Sequence, residues 1–148
     1  MYFDIVDFPI DESIEKKSQF KFYRLSDIKD LFLVGDPEKI TKLIRKGKIL
    51  YCPKYEISLE MFAKAKSLNK PFLISLSDII TEKPHLAIYR ISNFIRVGRH
   101  YKLKFIIASF AKDKYSVRSI DEAASIMRLC GMSKDQVRQS FMLIKRYL

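Results

Sequence analysis

The chain has 148 residues, 48% of them hydrophobic, with only four glycines and five prolines. That is enough for one domain with a substantial core, and it excludes a disordered or low-complexity polymer. The formal charge of +11 is lopsided: residues 1–80 hold 14 basic and 12 acidic side chains, residues 81–148 hold 14 and 5.

In chain order, Tyr2–Val6 reads as a strand and Phe20–Arg24 as a weaker one. Leu31–Val34 has the apolar run of a buried strand. Asp36 before Pro37 is an N-cap with proline at the first helical position; Ile40, Leu43 and Ile44 give that helix its apolar face, and Gly47 its C-cap. Ile49–Cys52 is a further strand. Tyr55–Ser58 is extended, and Ser58 opens a helix through Met61, Phe62 and Ala65. Phe72–Leu76 reads as a central strand. Residues 86–101 form the longest helical pattern, burying Leu86, Ile88, Ile91, Phe94, Ile95 and Val97. Phe105–Ser109 is the most regular strand. Ser119 with Glu122 and Ser133 with Gln136 are capping boxes, with Gly131 between them and the last helix reaching the C-terminus.

Strands alternating with helices imply βα units and a mostly parallel sheet. A full eight-unit barrel takes about 250 residues, so this chain has room for about five to seven units. The expected fold is α/β: a reduced or irregular TIM-barrel-like domain over residues 1–148, closing with two C-terminal helices. The charge shift near residue 80 comes without a linker or an internal repeat. No apolar run approaches the roughly 18 residues of a membrane span. Asp4 and Asp7 stand where an export signal would be basic. Cys52 and Cys130 are far apart, which predicts buried thiols in a reducing, cytoplasmic setting.

Motifs for self-sufficient catalysis are missing. His85 and His100 are the only histidines and form no HxH or HxxxH pair. The four glycines are isolated, so no phosphate loop exists. Ser58, Ser75, Ser77 and Ser109 lack a nucleophile-elbow context. Asp4 and Asp7 lie at the first strand, where a barrel phosphoesterase places metal ligands; this leaves a divergent metal-dependent phosphoesterase as an alternative. A helix–Gly–helix spacing over 119–147 leaves a helix-turn-helix DNA reader as another. The expectation from the residues is no catalytic and no metal site.

What the sequence does carry is charge. Residues 83–112 contain Lys83, Arg90, Arg96, Arg99, Lys102, Lys104 and Lys112, with His85 and His100, and no carboxylate. Such a stretch attracts polyanions, and each neutralised phosphate releases counterions. Arg90, Arg96, Arg99, Lys112, Lys114 and Arg118 are the candidate nucleic-acid-binding residues. Lys112 and Arg118 flank a strand-end loop, and Arg118 has Asp121 as an alternative ion-pair partner.

The stretch FIIASFAKDKYSVRSIDEAASIMRLCGMS, residues 105–133, resembles ribonuclease P protein component 3, an archaeal and eukaryal subunit family. The matching features are the small-residue turn Ala108-Ser109-Phe110-Ala111, then Lys112, Val117-Arg118-Ser119, Asp121, Ala124 and Leu129-Cys130-Gly131-Met132. YEISLEMFAKA (55–65) resembles the family's "IEISL" strand and helix, and 87–101 its preceding helix. Phe110 stands where the family commonly has Gly, and Ile120 where it has Pro. The resemblance implies a TIM-barrel-like protein that binds ribonuclease P RNA. The RNA, with its own Mg²⁺, cleaves the 5′ leader of precursor transfer RNA, so the protein binds no cofactor and meets precursor tRNA indirectly. It also implies a small α/β partner subunit in a two-plus-two heterotetramer. The aromatics Tyr2, Phe3, Phe8, Phe20, Phe22 and Tyr23 are candidates for that partner interface, or alternatively for the barrel floor.

Overall fold

The computed structural model describes residues 2–81 and 83–148. It contains six strands: β1 (Tyr2–Val6), β2 (Phe20–Arg24), β3 (Phe32–Val34), β4 (Ile49–Tyr51), β5 (Phe72–Ser75) and β6 (Phe105–Ala108). The helices are α1 (Glu12–Lys17), α2 (Leu25–Ile28), α3 (Pro37–Leu43), α4 (Leu59–Ser67), α5 (Pro84–His100), α6 (Ile120–Arg128) and α7 (Lys134–Leu143). All strand pairs are parallel, in a two-stranded sheet β1-β2 and a four-stranded sheet β3-β4-β5-β6. β5 and β6 are buried along their whole length, as apolar runs must be when both faces are covered.

The two sheets meet where β1 runs beside the end of β6. Phe110 N donates to Ile5 O (3.0 Å), Asp7 N donates to Ala111 O (2.7 Å), and Val6 and Ala111 form an isolated parallel bridge. The spatial order is therefore β2-β1-β6-β5-β4-β3. Among the described residues no ladder joins β2 to β3.

Two apolar clusters follow from the period of two along each strand. One places Phe20, Phe22, Leu50, Phe72, Ile74, Phe105 and Ile107 against the helices. Its centre is aromatic, with Phe94 of α5 edge-on to Phe62 (5.0 Å) and Phe72 (5.3 Å). The other gathers Phe3, Ile5, Ile49, Leu73, Ile106 and Ala108 from both sheets around Ile144. α6 and α7 close the fold, as expected: Val137 and Phe141 are buried, and Phe141 meets Phe20 edge-on at 5.1 Å.

Several sequence expectations change. The short helices α1 and α2 were not foreseen, because neither has an apolar stripe. Asp11 caps α1 through Ser13 N. Gly47 is extended (φ −111°) and ends a 3-10 turn instead of capping α3 in the left-handed region. Its role is close approach: a Cβ there would lie 2.5 Å from Leu33 Cβ and 2.9 Å from Leu33 N. Ser119 caps α6, but Glu122 turns to Arg118, so only Ser133–Gln136 forms a reciprocal box. α7 ends at Leu143, followed by a 3-10 turn over Ile144–Tyr147. Phe3, Phe20 and Phe22 are buried, and Tyr2, Phe8 and Tyr23 are half-buried. Phe3, Phe20 and Phe22 are core, the second of the two expected placements, while Tyr2, Phe8 and Tyr23 pack against the core with part of each side chain still accessible.

Candidate nucleic-acid interface

α5 carries the first group of candidates. Pro84 sits at its first position, and Ile91, Phe94, Ile95 and Gly98 face the core. Gly98 is required by packing, since a Cβ there would lie 2.5 Å from the Phe105 ring. The opposite side presents His85, Tyr89, Asn93, Arg96 and His100 at helical spacing, without a carboxylate. Tyr89 is 67% exposed. Arg96 donates to Asn93 Oδ1 (3.2 Å). Arg90 is exposed and lines a hollow of about 250 Å³ with Lys54, Asp78 and Lys83.

Arg99 has a structural task. It donates to Gly131 O (2.9 Å) and Gln136 Oε1 (2.7 Å), pinning the end of α5 to the turn between α6 and α7. Gly131 adopts φ +88°, the left-handed C-cap its sequence position predicts.

The loop from β6 to α6 carries Lys112, Lys114 and Arg118. Asp113 caps a 3-10 turn through Tyr115 N, Ser116 N and Ser116 Oγ (2.9, 3.0 and 3.1 Å). Lys112 and Lys114 flank it, exposed, with Lys114 Nζ 5.1 Å from the centre of the 81% exposed Tyr115 ring. Arg118 Nη1 lies 3.5 Å from Glu122 Oε2. Asp121, the alternative partner considered for Arg118, instead binds Lys134 Nζ at 2.6 Å, and that contact holds its carboxyl below the usual range. Lys114, Tyr115, Arg118, Asp121 and Lys134 line a groove of about 950 Å³ with Arg138, and Lys112 lies outside its lining. The six candidates therefore divide among α5's solvent side, its C-terminal end and the β6–α6 loop.

Charge pairing separates these places. Among the described residues, the ion pairs engage Lys42, Lys64, Arg118, Lys134 and Arg138. None involves the seven Lys and Arg of 83–112. A cation without a carboxylate partner keeps its charge available to phosphate.

The carboxylates near the strand ends are engaged differently. Asp4 is 1% exposed and accepts from Ser109 N (2.7 Å), Ser109 Oγ (2.6 Å) and Ile5 N (2.8 Å). Burial outweighs these donors and raises its pKa to about 6. It ties β1 to β6, while Asp7 is exposed in the following loop. Sequence reading missed Asp78, which accepts from Tyr51 OH (2.6 Å) and Tyr55 OH (2.7 Å). Tyr55 OH also accepts from Ser75 N (3.0 Å). Burial first, and Asp78 second, push both phenols up and keep them as neutral donors. Its only signal in sequence was position, at the end of a buried strand. Among the described residues no group of three or more His, Cys, Asp or Glu converges as a metal set. Nor is any helix there long and apolar enough to cross a membrane.

No family model matches the sequence, and no curated protein matches it. The fold is similar to that of a chain in a cryo-EM structure of archaeal ribonuclease P with mature tRNA. The TM-score is 0.68 at 11% identity, over 98% of this chain and 78% of that one.

Proposed function

We propose that this chain is a protein subunit of ribonuclease P that binds and supports the catalytic RNA during 5′-end maturation of precursor transfer RNA. The observation that carries the reading is the fold likeness, along 98% of the chain, to a chain of an archaeal ribonuclease P. The cations of 83–112, which form no ion pair among the described residues, support it.

The finer assignment is to protein component 3, with a reduced TIM-barrel-like fold. The all-parallel order β2-β1-β6-β5-β4-β3, with helices packed against it, supports that architecture. The two departures from the family's motif also support it. Phe110 has φ +48°, a left-handed conformation that glycine takes freely. Ile120 is the first residue of α6, the helical position that favours proline. Each occupies backbone that suits the family's usual residue.

In this reading the protein acts by neutralising phosphate. Folding the RNA crowds its phosphates, and fixed guanidinium and ammonium groups reduce the repulsion that Mg²⁺ would otherwise screen. Mg²⁺ and cleavage belong to the RNA. A small α/β subunit completes a two-plus-two cytoplasmic assembly. The test is precursor-tRNA cleavage by ribonuclease P RNA, with and without this chain and that partner, across a Mg²⁺ titration. The expected result is a lower Mg²⁺ midpoint with the proteins present and no cleavage by this chain alone. Cleavage by the chain alone that disappears in Asp7→Asn would overturn the reading in favour of a phosphoesterase. Tighter binding to duplex DNA than to RNA would overturn it in favour of a helix-turn-helix protein.

A further inference from the structure

The parallel order of β4, β5 and β6 gathers at one edge three loops that are far apart in sequence. Residues 44–48 enter β4, 68–71 enter β5 and 101–104 enter β6. They carry Arg45, Lys46, Lys48, Lys70, Lys102 and Lys104 and no carboxylate. Register brings them to one edge: Leu50 pairs with Phe72 and Phe72 with Phe105, which sets Lys48 opposite Lys70 and places Lys104 one residue further along, opposite Pro71. Neighbouring strands lie about 4.8 Å apart, so the row is within reach of successive phosphates of one nucleic-acid strand.

Contacts confirm that the loops form one surface. Lys70 Nζ donates to Ile44 O and Gly47 O, crossing from the β5 entrance to the β4 entrance. Lys66, Lys70, Lys102 and Lys104 border one small depression. Burial, and then the neighbouring Arg45 charge, lower the Lys70 pKa, a sign of like charges brought together. Beyond Lys104 the edge continues into a groove of about 570 Å³ between the β6 entrance and α7, lined by Arg99, Lys104, Gln136, Gln139 and Arg146 among others, none of them acidic. Favourable helix-end placement accounts for Lys66, in the last turn of α4. It does not account for Lys48, Lys102 or Lys104, which lie beyond the helices.

We infer that the strand-entrance edge of the four-stranded sheet, from Arg45 through Lys48, Lys70 and Lys104 to Arg146, is a platform for an RNA phosphate backbone. The inference rests on the RNA-subunit reading and deepens it. The surface contacts backbone and reads no bases, since its charges stand on long Lys and Arg stems and the one aromatic ring in its loops, Tyr101, packs against the core.

The experiment compares the wild-type chain with the triple variant K46Q/K48Q/K104Q, all three positions being exposed. Lys70 is left in place because it bonds to two carbonyls. Binding to a short RNA duplex is measured over a range of KCl concentrations. The triple variant is expected to lose roughly tenfold in affinity at low salt, with the salt slope reduced by about 2 to 3. Its melting temperature stays at or above that of the wild type, and K46R/K48R/K104R restores binding. Wild-type binding that the glutamines leave unchanged would overturn the platform and leave the RNA-subunit reading standing, the more clearly if R90Q/R96Q abolishes binding. A wild-type chain that binds neither duplex nor ribonuclease P RNA overturns both. Preference for phosphatidylserine vesicles over RNA at equal salt overturns the platform in favour of a membrane surface.

Discussion

The two ends of the parallel strands treat charge in opposite ways. After β3 to β6, Asp36, Glu56, Asp78 and Asp113 stand among Lys54, Lys83, Lys112, Lys114 and Arg118, so the signs nearly cancel. Carboxylates at this end are given donors: Asp4 has three, Asp78 has two phenols, and Asp36 and Asp113 cap helical turns. The entrances of β4, β5 and β6 hold six cations and no acid, and the β3 entrance beside them adds Lys29 and Asp30. Among the described residues only Lys70 there is tied down, and by carbonyls rather than a carboxylate. Where polar groups are satisfied internally they stabilise the fold. Where like charges are left together they oppose folding slightly and bind a counter-charged partner.

Breaking the satisfied end has the largest expected effect. Asp4→Ala removes the acceptor of three buried donors and lowers unfolding free energy by at least ~3 kcal/mol in urea titrations. Asp4→Asn keeps the shape and tests the charge. A carboxyl raised from 3.8 to about 6 contributes stability that is present in full below pH 3.8 and lost as pH rises through 6. The asparagine variant should therefore gain on the wild type by on the order of 3 kcal/mol between pH 4 and 8. A pH-independent difference would break the assignment of a buried charge. Next in size is the contrast in RNA affinity between the ends. K112Q/K114Q should cost roughly threefold, against roughly tenfold for the entrance-edge triple; equal losses would erase the distinction. Tyr55→Phe loses the bond to Asp78 and the acceptor of Ser75 N, and should lower stability by about 1 kcal/mol. The smallest effect has the opposite sign: Lys48→Gln relieves repulsion at the entrance edge and raises stability by a few tenths of a kcal/mol, vanishing in high salt.

Much of the fold was legible because its signals are local. β5 and β6 announce themselves as apolar runs, Asp36-Pro37 and Ser58 as caps, and Gly131 as a left-handed turn. α1 and α2 were not legible, since four to six residues without an apolar stripe give no period. Gly47 misled because close approach to Leu33 leaves the same mark in sequence as a C-cap. The interface was half legible. The carboxylate-free run 83–112 is contiguous, so composition reveals it. The entrance edge is split among residues 45–48, 70 and 102–104, and only parallel pairing unites it. Arg99 and Arg118 are basic in sequence, but in the fold Gly131 and Gln136 take two donors of Arg99, and Glu122 takes one of Arg118, whose Nε has no partner among the described residues. Asp78 acquires its partners from residues more than twenty positions earlier.

The joint between the sheets has a consequence for how the protein is made. β1 and β2 are among the first segments of this chain to be synthesised, yet the bonds that seat them lie far downstream. Asp4 waits for Ser109, 105 residues later, and Phe20 waits for Phe141. A two-stranded sheet has little stability alone. On the ribosome the early strands therefore stay unanchored while the four-stranded sheet assembles from near-neighbour βα units. The N-terminal strands dock last, when α7 arrives to clamp them.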